Sequence, residues 1–362
     1  MKIHHAGHCE GAKRPKQSHT IEIASSAFGL LAMTILLSVT LFATGCGEIT
    51  YPKEKLKESI IKLCKDEYNL DIDVNVAGNT VAIYLPVMNL FDVTLSLSES
   101  VQDKIQDVLL SASRVLLSTD ADIKFYCVIA QDRRLPEIQL VIIKYVDDVK
   151  RAFFRDISRG EYFKRTLVDI NENPQAKKEK AITDVFGKMK LEKEWQDKVL
   201  DDFFRSPPSS MEGIGYWHGK FYIKNITLEE FMVEQMANRV KLRFREKENL
   251  KKYAPKMITG KFIEENNTKF FLISFSSESL LFVPGRVEKR AMEEEIFTNV
   301  FEVVANVIYG YKFKDFDMAK IIEKNFNTEL IVSKEDVYLF KRKKLPIGEI
   351  LGTIKQEMAW TN

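Results

Sequence analysis

The sequence predicts an α+β chain in which two helix-on-sheet regions with antiparallel hairpins are joined by a helical middle segment. Three observations predict it. Apolar residues recur at helical spacing in long segments such as 98–117 and alternate in shorter runs between them. Turn-forming sequences, Ala77-Gly78-Asn79 and Asn266-Asn267, separate pairs of alternating runs and mark hairpins. A similar order of elements then returns in the second half.

In chain order, Pro52 opens an amphipathic helix over 53–68, and strands over 72–76 and 80–85 form the first hairpin. Ser98 is placed to cap a helix over 98–117, whose Val101, Ile105, Val108, Leu109 and Val115 share one face. Strands over 122–130 and 137–145 follow, then a helix over 147–156. The order α-β-β-α-β-β-α implies a helix layer on a sheet. Residues 171–180 (NENPQAKKEK) are polar, 181–204 are helical in pattern, and 205–215 (RSPPSSMEGIG) form a linker.

Beyond the linker come a strand over 220–226 and a helix over 228–245, capped by Thr227 with Glu229 and Glu230 in its first turn. A hairpin over 261–265 and 269–275 and a helix over 287–307 follow. The remaining pattern predicts a strand from Tyr311, a helix over 318–325, and strands over 329–333 and 336–341. The division is then a segment 1–45, an α+β region 46–170, a connector 171–215 and a second α+β region 216–362. At an offset of 188 the halves share Asn79/Asn267, Thr80/Thr268, Val115/Val303, Lys124/Lys312, Phe125/Phe313, Asp148/Asp336 and Val149/Val337. A diverged duplication and two unrelated α+β regions are both compatible with such matches.

Composition narrows the function. The 362 residues carry 54 Lys+Arg against 52 Asp+Glu, which excludes an overall basic field for nucleic acid. With 24 Phe, 12 Tyr and 3 Trp there is apolar surface enough to fold, which excludes disorder over most of the length. His218 is the only histidine beyond residue 19, so His-based zinc sites and a Ser-His-Asp triad have a single candidate. No G-x-S-x-G, Walker or G-x-G-x-x-G pattern occurs. Adjacent acids, Asp147-Asp148, Asp201-Asp202 and Glu293–Glu295, read as solvated surface in a chain this rich in carboxylates. The expectation is a non-catalytic protein with no cofactor and no metal. The alternative is a cell-wall hydrolase working through paired carboxylates.

Residues 1–20 are basic, residues 23–47 carry no charge, and 27–42 (AFGLLAMTILLSVTLF) are almost wholly apolar. This is the layout of a secretory signal. The run ends in Ala43-Thr44-Gly45-Cys46, which resembles the lipobox of bacterial lipoproteins. The resemblance covers residues 1–47. It implies cleavage between Gly45 and Cys46, lipidation of the Cys46 thiol, and a membrane anchor in the cell envelope. Gly47, in place of Asp, implies outer-membrane sorting facing the periplasm in a host with two membranes. Residues 1–45 hold four of the 54 basic and two of the 52 acidic side chains, so 50 of each remain in the processed chain. The expected partner besides the membrane is an envelope protein, and nucleic acid is not expected.

Residues 81–110 (VAIYLPVMNLFDVTLSLSESVQDKIQDVLL) are similar to the opening of the OmpA-like peptidoglycan-binding domain. That resemblance implies an Asp at the end of the next strand and an Arg on a following helix. Asp132 with Arg133 or Arg134 are the available counterparts, although an extended run over 138–146 stands where the helix should be. Of the cysteines left unmodified, Cys64 and Cys127 are both expected in a core and are a candidate disulfide pair in an oxidising compartment. The aromatics after the linker, Tyr216, Trp217 and Phe221, are a candidate contact surface. The basic stretch 341–344 is another.

Overall fold

The computed structural model describes residues 51–91, 97–173, 176–180, 183–184, 213–253, 255–277, 286–325 and 328–356. Gly45, Cys46, all but residues 183–184 of the helix expected over 181–204, and most of the linker lie outside the described residues. The described residues belong to one compact unit.

The chain is α+β, as its patterning predicts. In the first half, α1 (Leu56–Tyr68), β1 (Asp73–Ala77), β2 (Thr80–Val87), α2 (Glu99–Leu117), β3 (Phe125–Asp132), β4 (Ile138–Tyr145), α3 (Val146–Phe153), α4 (Arg159–Arg165) and β5 (Leu167–Glu172) follow in order. The sheet order is β1-β2-β3-β4-β5, with β2 and β3 parallel and the other pairs antiparallel. Ile60 and Cys64 of α1 and Ile105, Val108 and Ala112 of α2 pack on the sheet face that carries Ile83, Tyr126, Val128 and Ile142. All eight residues of β3 are buried, because the opposite face is covered too.

A two-stranded hairpin, β6 (Gly215–Trp217) and β7 (Lys220–Tyr222), precedes the second half. There, α5 (Leu228–Glu246), α6 (Glu248–Lys251), β8 (Lys256–Glu265), β9 (Thr268–Ser276), α7 (Arg286–Tyr311), β10 (Met318–Glu323), β11 (Thr328–Ser333), α8 (Lys334–Lys341), α9 (Ile347–Leu351) and β12 (Lys355–Gln356) build a second five-stranded sheet, β12-β11-β10-β9-β8. Thr227 caps α5 with a capping box completed by Glu230. Gly260 of β8 lets α5 approach closely, since a Cβ there would stand 2.6 Å from the Val233 carbonyl oxygen.

Several expectations need correction. Ser98 takes the N-cap backbone conformation of α2, but its buried hydroxyl caps nothing and has no hydrogen-bond partner. The strand over 220–226 stops at Tyr222, because Asn225 and Ile226 turn to hold the first hairpin. Asn225 Oδ1 accepts the Asn79 N–H at 2.8 Å, and Ile226 N–H donates to Thr80 Oγ1 at 2.9 Å. Tyr311 ends a helix instead of opening a strand. Residues 318–323 are a strand, with Ala319, Ile321 and Glu323 buried in alternation and parallel pairing to β9. Its good helix formers are overruled by that pairing. Residues 334–341 are a helix, capped by the Ser333 hydroxyl on the Asp336 N–H, with acids in the first turn and Lys341 in the last.

The two halves repeat one topology. Both run helix-strand-strand-helix-strand-strand-helix-helix-strand, ignoring the one-turn α6, with the same neighbour order and a parallel central pair. The offset of 188 holds at the ends of β1 and β8 and at the starts of β2 and β9, α3 and α8, α4 and α9, and β5 and β12. Left-handed residues recur at the same spacing, Gly78 with Asn266 and Arg155 with Lys343. Lys124/Lys312 and Phe125/Phe313 are not equivalent, however. Helix α7 runs on to Tyr311, so the Asp317 carbonyl, not that of Lys312, takes the N–H of α8 as Lys124 takes that of α3.

Helix α5 joins the halves. Buried residues lie around most of its circumference, including Phe231, Met232, Val233, Gln235 and Met236, because it contacts two layers. Met232, Val233 and Met236 face the second sheet, whereas Phe231 packs with Phe125, Cys127 and Ile143 on the back of the first.

Candidate functional site

An open cleft of about 810 Å³ lies beside the β6–β7 hairpin. Its floor is apolar, from Ile138 of β4 and Ile170 of β5, and Glu137, Glu179, Asp184 and Lys180 stand around it with the indole of Trp217. The hairpin turn, His218-Gly219, has φ of 47° and 75°, the doubly left-handed geometry that suits a two-residue β-turn. His218 is therefore a turn residue between β6 and β7.

The cleft wall is anchored from below. The Tyr216 carbonyl accepts from Gln139 Nε2 at 2.5 Å and Asn173 Nδ2 at 3.1 Å, and the Tyr216 N–H donates to Gln139 Oε1 at 3.2 Å. A Cβ at Gly215 would stand 2.8 Å from both amides, so a side chain there would displace the groups that hold the Tyr216 carbonyl. Trp217 Nε1 donates to Glu179 Oε2 at 2.6 Å, and His218 Nε2 lies 3.3 Å from the same oxygen. One carboxylate thus orients the indole. What the arrangement offers chemically is an aromatic ring with several carboxylates around an apolar floor, suited to stacking against a ligand face while accepting from its hydroxyls or amines.

The three aromatics expected to form one contact surface are divided by strand alternation. Trp217 faces the cleft. Tyr216 stacks on Tyr84 with ring centroids 3.7 Å apart, donates to Asp73 Oδ2 at 2.8 Å, and meets Phe221 edge-on. Burial and then the neighbouring Asp73 push the Tyr216 phenol pKa up. Lys341 to Lys344 lie at the end of α8.

Cys64 and Cys127 are free and buried. Cys64 belongs to the core under α1 and α2, and Cys127 to the core on the opposite face of the sheet, so the shared core and the candidate disulfide are corrected: a bridge would have to pass through the sheet. Burial pushes the Cys127 thiol up to about 12 and raises that of Cys64 as well, which leaves both protonated at neutral pH. Asp132 is buried, and its carboxylate accepts the N–H groups of Leu90 at 2.7 Å and Arg134 at 2.8 Å. It closes a turn, and strand β4 follows it. Of the adjacent acids, Asp148 is buried in an ion network, Glu294 pairs with Arg290, Glu295 bonds to Tyr253, and 201–202 lie outside the described residues. Among the described residues no group of three or more His, Cys, Asp or Glu is placed to hold a metal ion.

Two features had little or no voice in the sequence. Glu179 stands 38 residues from Trp217, and nothing local pairs them. Lys144 had a signal, the single charge in the apolar run 138–145, and it is buried against Tyr162, with Nζ donating to the phenol oxygen at 2.8 Å. Burial lowers its pKa to about 8. An unfolded lysine titrates near ~10.4, so between about 8 and ~10.4 the unfolded chain binds more protons and stability rises with pH. Below that window both states are protonated and the cost of the buried charge is felt in full. Lys144→Met is expected to be more stable than wild type by about 1–3 kcal/mol at neutral pH, with the excess fading toward ~pH 10. Urea midpoints of both proteins across that range check it.

Comparison with known proteins leaves the chain on its own: no family model, no curated protein and no solved structure matches it.

Proposed function

We propose that this chain is a bacterial cell-envelope lipoprotein, held to the membrane through a lipidated Cys46 and acting as a non-catalytic binding module. The observation that carries it is the succession of an apolar run, Ala43-Thr44-Gly45-Cys46, and a folded unit that begins only five residues later at Tyr51. Among the described residues no helix is long and apolar enough to cross a membrane. The binding surface of this reading is the Trp217 cleft, and its occupant is another envelope component bearing amines or hydroxyls. Radiolabelled palmitate is expected to mark the wild-type protein and to be lost from Cys46→Ala. Label that persists in the variant, or never enters the wild type, overturns the anchor.

A second reading, a cell-wall hydrolase, is favoured by the presence of Glu137, Glu179 and Asp184 around one cleft. It requires that purified cell wall be cleaved by the wild type and not by Glu179→Gln.

A further inference from the structure

We propose that the tip formed by α3 and α4 is a membrane-contacting surface that lies on an anionic lipid bilayer. This rests on the anchored reading above. Phe153, Phe154 and Phe163 are 74, 71 and 58% exposed, although each is a large apolar ring. The fold does not ask for the first two. At the equivalent positions of the second half, 188 residues on, α8 ends in Lys341 and its C-cap is Arg342, where α3 has Phe153 and Phe154. The backbone there is the same in both, down to the left-handed Arg155 and Lys343 that follow.

Charge surrounds these rings. Arg155, Arg159 and Lys164 are exposed, against Asp156 and the neutralising pair of Lys150 with Asp147. The Arg159 guanidinium stands 5.6 Å from the Phe163 ring centroid. Aromatic rings flanked by cations suit the boundary between acyl chains and headgroups, where rings enter apolar surroundings and cations meet phosphates. The near-neutrality of the whole chain conceals this local excess.

The site where the chain leaves the folded unit points the same way. Tyr51 bridges to Thr119, just ahead of β3. The Lys124 carbonyl accepts the Val146 N–H that opens α3, and β5 begins opposite Ile143, directly after α4. The start of the described chain and the tip therefore lie at one end of the first sheet.

The test uses the full chain reconstituted into phosphatidylglycerol–phosphatidylcholine vesicles with or without bromine on the acyl chains. Phe154→Trp is expected to add an emission that is blue-shifted and quenched by the brominated lipid beyond the quenching of the wild-type tryptophans. Reversing Arg155, Arg159 and Lys164 to Glu is expected to weaken that contact about a hundredfold at low salt, at ~5-fold per cation lost. Added emission that is not quenched overturns the tip, whether or not the chain floats with the vesicles. A blue shift without quenching means that protein covers the ring, and overturns it equally. Flotation of Cys46→Ala reports the anchor separately, and quenching that survives this substitution supports the tip even where the lipidation reading fails.

Discussion

Arg165→Ala is expected to destabilise the folded unit by about 3–5 kcal/mol, the cost of leaving a buried charge without its partner. Arg165 and Asp148 are both nearly inaccessible, and Arg165 Nη1 donates to Asp148 Oδ1 at 2.8 Å. Arg165 Nε donates to Glu161 at 2.8 Å, and its Nη2 lies 3.3 Å from the Gly310 carbonyl in the other half. The Tyr311 hydroxyl completes the set, donating to Asp148 Oδ2 at 2.7 Å and accepting from Gln235 at 2.8 Å. Burial raises the Glu161 pKa, but Arg165 and Arg239 outweigh it and hold the carboxyl below its ordinary value. Arg165→Lys is expected to recover only part of the loss, because an ammonium cannot reproduce a fork that serves Asp148, Glu161 and Gly310 together. Replacing the pair, Arg165→Met with Asp148→Leu, is expected to cost less than either single change. Urea unfolding followed by circular dichroism reads each of these variants, and a single-site loss under ~1 kcal/mol would show that water reaches the network.

Phe231→Ala, made alone, is expected to cost about 3–5 kcal/mol, from lost transfer energy plus the cavity left behind. Phe231 is fully buried between the first sheet and α5, with ring centroids 5.2 Å from Phe125, 6.3 Å from Tyr145 and 6.4 Å from Tyr311. Tyr311 belongs to both this cluster and the ion network, so the two substitutions should not add. Both variants are expected to unfold in one transition when α5 couples the halves. A split into two transitions would mean that each sheet with its helices is stable by itself.

Much of the fold was legible because it is written in local pattern. The α1 and α2 faces, the hairpin at Gly78 and the capped α5 are each specified by residues within a turn or two. The errors fall where pairing partners decide. Residues 318–323 contain Met, Ala, Lys and Glu, and only a neighbouring β9 reveals the alternation of Ala319 and Ile321 as a strand. Helix α8 was a different kind of error, since Ser333 and Asp336 are a readable cap. The cleft was half legible. Trp217 could be picked out as an aromatic next to a linker, but its partner Glu179 and the separation from Tyr216 depend on which way β6 faces.

What the sequence determined by itself is what short-range chemistry carries. That covers the α+β class, a neutral chain beyond residue 45, and an apolar run ended by a small-residue cysteine motif. Tertiary structure alone decided that the halves share one topology, that Cys64 and Cys127 face away from each other, and that α5 is buried on two sides. It also decided that Asp148 meets Arg165 and Tyr311 in one network. The reason is physical. A residue's secondary structure depends mainly on neighbours a few positions away, whereas burial on both faces of a sheet and the pairing of charges depend on what the rest of the chain brings to them.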